Sequence, residues 1–576
     1  MDESRFDESQ LNTPNKVCSL DEAIGFVQAG DEVHLQCSHT RWSAAARALI
    51  RKWWGQDPEW TLVMLSLSSL GTLFFRGGLV NKVVTGYSGD VFPNFSPNPR
   101  FASAYLSGEV QVEHWSFLSF AQRMEAAARG LPAITTHSLA GSSMETNQGY
   151  ATVETPFGKV GMLQAYAPDI AVVHGAIADA AGNIAFHPPM LEGVWGALAA
   201  KRGVVATVER IVDDIRPWSH LVRIPAHQVL AVTECPLGAH PGGLYGTFTP
   251  AEPYGEDLQF WSQAREVSRL DDAEFDEWIT KWVLEPTDHS AYLDLLGSER
   301  IRSLRQRAQS DSWKAEAASM PPNLEAPAND WERAAIFGAR TLADRLVATQ
   351  ADTVLAGAGV ANLATWLGAE QARERGAPTV LTAELGLLGY EPTLADPFVF
   401  NHRAFPSATM LADSDWVLGA MIPGPATSCI ACLGAAQVDA AGNINSTVIP
   451  GKVFLVGSGG GNDVATTADE VVIVTTLSAK RTVSQVPYIT SPGDRVSRIA
   501  TELGVFRRRE TAEGEAESSQ TLFELIAVVS GMEATIRERL GWDLVVADDC
   551  VELEPPTPEE LQRLRGWDPQ GFFLRP

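Results

Sequence analysis

Basic charge is scarce in this 576-residue chain: 44 Lys and Arg stand against 71 Asp and Glu, for a formal net charge of −27. A field of that sign repels nucleic-acid phosphates and anionic lipid surfaces, and the sequence shows no compensating basic patch. The expected partner is a small molecule, with no nucleic acid and no membrane. Cysteine is also scarce. Cys18, Cys37, Cys235, Cys429, Cys432 and Cys550 are too few for a disulfide framework and suit a reducing compartment, so the expected location is cytoplasmic. No apolar run approaches the roughly eighteen residues that span a bilayer, and the opening MDESRFDESQ lacks the basic and apolar regions of an export signal. There is no G-x-S-x-G elbow, which argues against an α/β-hydrolase, and no G-x-x-x-x-G-K-[ST] phosphate loop for ATP-driven chemistry.

What is present is ordinary globular material, 45% hydrophobic and 20% charged. The chain is about twice as long as a single hydrophobic core supports, so at least two domains are expected. An internal echo shows how they are related. Asp179-Ala180-Ala181-Gly182-Asn183-Ile184 recurs letter for letter as Asp439-Ala440-Ala441-Gly442-Asn443-Ile444, each copy following an apolar run and preceding a β-branched one. Each half also opens with a short strand, within 30–35 and 351–356, that leads into a small-residue loop and an amphipathic helix, 43–53 and 362–367. Alternating strands and helices joined by Gly-rich turns predict two tandem related open α/β domains, with parallel-rich sheets and helices on both faces.

Between the halves, charged and Trp-bearing helical segments lead to Pro321-Pro322 and Pro327, which forbid a continuous helix. The expected division is 1–314, a linker at 315–329, and 330–576, with Asn329 or Asp330 capping the helix that follows. The acidic run 510–517 reads as a solvated loop.

The strongest chemical signal spans 356–389. Gly357-Ala358-Gly359-Val360 follows a strand and opens a helix, whose first N–H groups form a site for negative charge. Taken alone, Gly357-Ala358-Gly359 also fits the start of a dinucleotide fingerprint, although Asn362 holds the third glycine position. Further on, the strand 378–382 ends at Glu384. This puts a single acid at the carboxyl end of a parallel strand, where ligands bind in open α/β sheets. Cys429-Ile430-Ala431-Cys432 has C-x-x-C spacing but no second pair, so these read as buried thiols and no metal is expected.

Thr382-Ala383-Glu384-Leu385-Gly386-Leu387-Leu388-Gly389 resembles the Ser-Glu-Asn-Gly-apolar-apolar-Gly signature of family I coenzyme A transferases, departing from it at Ala383 and Leu385. The segment 434–447, followed by Gly457-Ser458-Gly459-Gly460-Gly461-Asn462-Asp463, is similar to the β subunit of glutaconate CoA-transferase-type enzymes. Ile224-Pro225, the stretch 234–243 and the first copy of the repeat resemble the α subunit. The likeness spans nearly the whole chain, with α-like and β-like halves fused.

The resemblance implies an acyl-CoA:carboxylate CoA-transferase with ping-pong kinetics through a covalent glutamyl-CoA thioester on Glu384. It implies an oxyanion hole from the N–H groups of Val360 and Gly460. CoA and acyl contacts would come from Gly357, Gly359, Gly386, Gly459, Gly461 and Asn462. A glutamate of ordinary pKa, about 4.3, is already ionised at neutral pH and needs no general base to attack a thioester. Glu113 and Ser116, at the start of an amphipathic helix expected over 113–129, together with His240 in Gly238-Ala239-His240-Pro241, are candidate substrate contacts. Acyl-CoA and small carboxylic acids are the implied substrates, coenzyme A enters as the thioester with no metal, and a homodimer is expected. The same fold also suits a CoA-thioester hydrolase, a decarboxylase or a C–C-cleaving enzyme. From a different class, a non-catalytic CoA-ester-binding protein remains an alternative.

Overall fold

The computed structural model describes residues 14–36, 41–246, 248–398, 402–509 and 522–575. The acidic run 510–517 and Cys37 lie outside them. Two large sheets carry the fold, and their central strands follow the same plan. In the first half, Glu32–Leu35 lies between Trp60–Leu67 and Ile170–Asp179. Val204–Val212 and Val229–Glu234 extend the sheet beyond Ile170–Asp179, and all of these pairings are parallel. In the second half, Thr353–Ala356 lies between Val380–Ala383 and Cys429–Gly434. Glu470–Val474 and Val496–Ala500 continue that sheet, again in parallel. Outside this core the sheets differ: Val80–Ser88 and Gln111–His114 extend the first in parallel beyond Trp60–Leu67, whereas antiparallel strands flank the second, Leu387–Leu388 beside Val380–Ala383 and Gly504–Arg508 beside Val496–Ala500.

These central strands are near-continuous apolar runs because helices cover both faces and leave no solvent side. Cys429–Gly434 and Glu470–Val474 are buried almost throughout. Cys429 and Cys432 lie within this sheet, and burial pushes the Cys432 thiol up to about 12, which makes it inert at neutral pH. On the second sheet the covering helices include Asp330–Thr349 and Val360–Glu374, which pack against each other.

The repeated hexapeptide is the same turn in both halves. Asp179 Oδ1 accepts from the Gly182 and Asn183 N–H groups, and Asn183 Nδ2 donates back to Asp179 at 2.7 Å. Asp439 Oδ1 likewise accepts from Ala441 and Asn443, and Asn443 Nδ2 returns to Asp439 at 3.2 Å. Gly182 and Gly442 take φ of 96° and 84°, a conformation that L side chains adopt rarely. Each asparagine then anchors a later segment: Asn183 Oδ1 accepts from Ala226 N–H and Asn443 Oδ1 from Gly493 N–H, both at 2.9 Å.

Two expectations shift in detail. The helix expected over 113–129 begins later: Glu113 belongs to the strand Gln111–His114, and the helix is Phe117–Ala128. Ser116 is its N-cap and forms a capping box with Ser119, which fixes the start. Residues 315–319 complete a short helix, Trp313–Ser319, and Asn329 caps Asp330–Thr349 through a capping box with Glu332. The irregular stretch between them is pinned by Arg565, whose guanidinium donates to the carbonyls of Asn323, Ala326 and Pro327. No helix among the described residues is long and apolar enough to cross a membrane.

Candidate active site

A cavity of about 750 Å³ opens where the two halves meet, and Glu384, Gly357 to Val360 and Gly457 to Gly461 all line it. That volume falls within the range of about 300 to 1,000 Å³ typical of small-molecule sites. Glu384 directly follows the strand Val380–Ala383, so its side chain stands at the strand's carboxyl end. Gly386 then turns the chain into Leu387–Leu388 with φ of 109°, and a Cβ there would sit 1.8 Å from the Ala412 carbonyl oxygen. This glycine shapes the bend beyond the acid and does not line the cavity. Ala383 and Leu385, where the sequence departs from the signature, are both buried in the core.

The first glycine loop is equally constrained. A Cβ on Gly357 would meet the Cys432 carbonyl oxygen at 2.3 Å, and Gly359 takes φ of 73° and ψ of −135° as the N-cap of Val360–Glu374. Val360 is the first residue of that helix, so its N–H has no acceptor within it.

The second loop belongs to the second half but is held by the first. Gly457 pairs with Tyr87, Gly459 N–H donates to the Gly86 carbonyl at 3.0 Å, and Phe117 N–H donates to the Gly459 carbonyl at 3.0 Å. This clamp brings Gly460 against the acid, where its N–H favours the ionised form of the Glu384 carboxyl. A Cβ on Gly460 would lie 1.9 Å from Glu384 Oε2, so any larger residue at this position would displace the carboxylate.

Burial first, and the nearby Asp463 second, push the Glu384 carboxyl up to about 7, against the lowering effect of the Gly460 N–H. The expectation of a fully ionised glutamate at neutral pH is corrected accordingly: both forms are populated there. Asp463, on the short helix Gly461–Thr467, is fully buried and is itself pushed up to about 6 by burial. It accepts from the hydroxyls of Ser116 and Ser138 and from the Leu118 N–H at 3.0 Å. Sequence reasoning passed over Asp463. Its only local signal is its place after the glycine run, whereas its contacts come from residues hundreds of positions away.

Five predicted contacts lie away from the cavity. Asn462 is buried and joins the halves, accepting from Leu139 N–H and donating to the Thr490 carbonyl. Ser116 caps its helix and holds Asp463. Glu113 is paired with Lys82 and Arg123. His240 is buried, with Tyr292 Oη at 2.6 Å from Nδ1 and Asp257 at 2.9 Å from Nε2, so it is a satisfied core histidine outside the cleft. Gly386, at the bend beyond Glu384, is the fifth. Among the described residues, no group of three or more His, Cys, Asp or Glu is arranged to hold a metal.

Two related α/β units facing each other across a cleft, with an acid at a strand tip between glycine turns, define a class of protein that known relatives identify. The coenzyme A transferase family profile matches residues 19–234 and 346–521, and the chain belongs to that family. It is 28% identical over 290 residues to one subunit of the 3-oxoadipate CoA-transferase of Pseudomonas knackmussii, covering 48% of this chain and 96% of that one. The chain is also 30% identical over 206 residues to a second subunit of the same enzyme, covering 32% of this chain and 76% of that one. Among solved structures, the acyl-CoA transferase YdiF of E. coli O157:H7, in a thioester complex with CoA, superposes with a TM-score of 0.63 at 18% identity. That match covers 94% of this chain and 96% of the other, which shows that the fold is shared across both halves.

Proposed function

We propose that the chain transfers CoA from an acyl-CoA to a free carboxylic acid, with Glu384 as the covalent nucleophile. The observation that carries this is the Glu384 carboxylate at the carboxyl end of a strand, lying against Gly460 and sharing one cavity with the helix that Val360 opens.

The ionised Glu384 oxygen attacks the thioester carbonyl, and the C–S bond breaks to give an acyl-glutamyl anhydride and CoA thiolate. The thiolate then attacks the glutamyl carbonyl, releasing the first acid and leaving a glutamyl-CoA thioester. An incoming carboxylate reverses the two steps, so atoms and charge balance without any redox change. Each attack develops an oxyanion. Gly460 lies against the glutamate oxygens, and its N–H serves the tetrahedral centre on the glutamyl carbon. Val360 N–H serves the one on the substrate carbonyl. A single such donor is worth about 10² to 10³ in rate. The clamp between Gly459 and the first half sets the position of Gly460 before the substrate arrives, so no reorganisation is needed during the reaction.

Coenzyme A enters as a substrate, and the same proposal carries a cytoplasmic homodimer of the fused chain. Initial-rate kinetics test it. Parallel double-reciprocal lines are expected when acyl-CoA and acceptor acid are varied together, and Glu384→Ala should lose at least about 10³ of the exchange rate. Intersecting lines, or full exchange by that variant, would refute it.

A further inference from the structure

The wall of the cavity opposite Glu384's half has a chemistry that membership of the family does not supply. It is built by Trp42, Tyr87, Val91, Phe95, Phe117 and Trp261, all from the first half of the chain. A chain of rings centred on Phe95 forms part of it. Tyr87 meets Phe95 edge-on at 6.0 Å, and Phe95 stacks on Phe573 at 6.4 Å and on Phe398 at 5.6 Å. Phe573 and its neighbour Phe572 come from the C-terminal segment, which Asp568 holds in place by accepting from the Phe572 and Phe573 N–H groups at 2.7 and 2.8 Å. Tyr87 and Phe117 are the residues that grip the second glycine loop, so this aromatic surface begins beside the reacting carboxylate.

The charges are distributed unevenly. Every charged side chain among the described lining residues comes from the second half: Glu384, Lys480, Arg481 and Arg575. Lys480 and Arg575 are exposed, while the Arg481 guanidinium lies 5.1 Å over the Trp331 ring and donates to the Ala435 carbonyl. The polar groups of the first-half wall are neutral. Among them the Ser68 hydroxyl is buried with no hydrogen-bond partner among the described residues.

We propose that this site takes the CoA thioester of a bulky, uncharged hydrophobic acid, aromatic, alicyclic or branched, whose acyl group lies against the wall centred on Phe95. The proposal rests on the CoA-transfer function above and specifies its substrate class. The Pseudomonas relative is a transferase for 3-oxoadipate, a short dicarboxylic acid. The second carboxylate of such an acid needs a cation or several donors where the acyl chain ends. Placing an ion against aromatic rings without such a partner is strongly unfavourable, whereas burying apolar surface there is favourable. The exposed cations then face the phosphates of CoA, and the unpartnered Ser68 hydroxyl suits a neutral oxygen on the acyl group.

The full-length enzyme is charged in single turnovers, without an acceptor acid, by phenylacetyl-CoA, cyclohexanecarbonyl-CoA and glutaryl-CoA. In parallel, calorimetry measures binding of the unreactive thioethers S-phenethyl-CoA and S-(4-carboxybutyl)-CoA. The two apolar thioesters are expected to react at least about tenfold faster than glutaryl-CoA at limiting concentration. The phenethyl thioether should bind at least about tenfold more tightly than the carboxybutyl one, and Phe95→Leu should shrink both ratios. Faster charging by glutaryl-CoA, or tighter binding of the carboxybutyl thioether, overturns the proposal, and so does a glutaryl-CoA rate that depends on Arg481 while Phe95→Leu changes nothing. If no thioester charges the enzyme but the phenethyl thioether still binds preferentially, the covalent mechanism fails and the pocket assignment stands.

Discussion

The two halves of this chain run their central strands in the same order but end them differently over the cleft. Beside the first strand of each half lies a parallel partner, Trp60–Leu67 in one and Val380–Ala383 in the other. Beyond the tip of the first comes Ser68 and beyond the second comes Glu384, and both line the same cavity. Duplication therefore supplied two equivalent strand tips. In the proposed mechanism one carries the nucleophile, and the other belongs to a wall for the acyl group. The first half is not a passive copy, because its Gly86, Tyr87 and Phe117 hold the second-half glycine loop in register with Glu384. Neither half forms the site alone.

The sharpest way to break this comparison is to crowd the reactive tip while leaving the scaffold intact. Gly460→Ala is expected to lower exchange by about 10² to 10³, because the added methyl group falls on the Glu384 carboxylate and displaces the donor N–H. Gly459→Ala, one residue earlier, meets nothing within 4 Å and bears only the strain of its φ of 55°, so it should cost far less. Equal losses in steady-state assays of the two variants would remove the special place given to Gly460.

A smaller effect concerns the acid partner. Burial and, after it, Asp463 raise the Glu384 pKa, and in the proposed mechanism the ionised glutamate is the nucleophile, so wild-type kcat/KM should fall as pH drops through about 7. Asp463→Asn removes the like charge and should move that acid limb to lower pH, leaving the variant relatively more active at pH 6 than at pH 8. A pH–rate profile with an unchanged acid limb would separate Asp463 from the chemistry.

The smallest effects on activity are expected in the duplicated turns. Asn183→Ala and Asn443→Ala each break a side-chain link to Asp and strand a backbone N–H, that of Ala226 or Gly493. Each should cost about 1 to 3 kcal/mol of stability in denaturant titrations, and the double variant should cost roughly the sum. Loss of activity without loss of stability in either variant would contradict a purely architectural role for the repeat.

Much of this was legible in the sequence. The hexapeptide repeat is visible because its Asp, Gly and Asn each have a local job in one turn, and local jobs leave local patterns. Glu384 is visible because an apolar strand ending in an acid before glycine is itself a local signal. What escaped depends on contacts between distant segments. Trp42, Phe95, Trp331 and Phe573 come together in the cavity from across the chain, and nothing in their neighbourhoods marks them as lining one wall. The raised pKa of Glu384 depends on burial that only the assembled halves create. His240 shows the converse: a histidine in a matching motif is fully used by Tyr292 and Asp257 inside the core. The start of the Phe117–Ala128 helix was misplaced because the apolar period extends back through Trp115, whereas Ser116 and Ser119 set the boundary by capping.

The most direct test of the central claim is the mass of the chain itself. Incubated with an acyl-CoA in the absence of acceptor and digested, the enzyme should yield the Glu384 peptide heavier by CoA less one water, and borohydride should reduce that thioester to an alcohol at the same residue. Turnover of the thioester with Glu384 unmodified, or the CoA adduct on any other residue, would contradict the account.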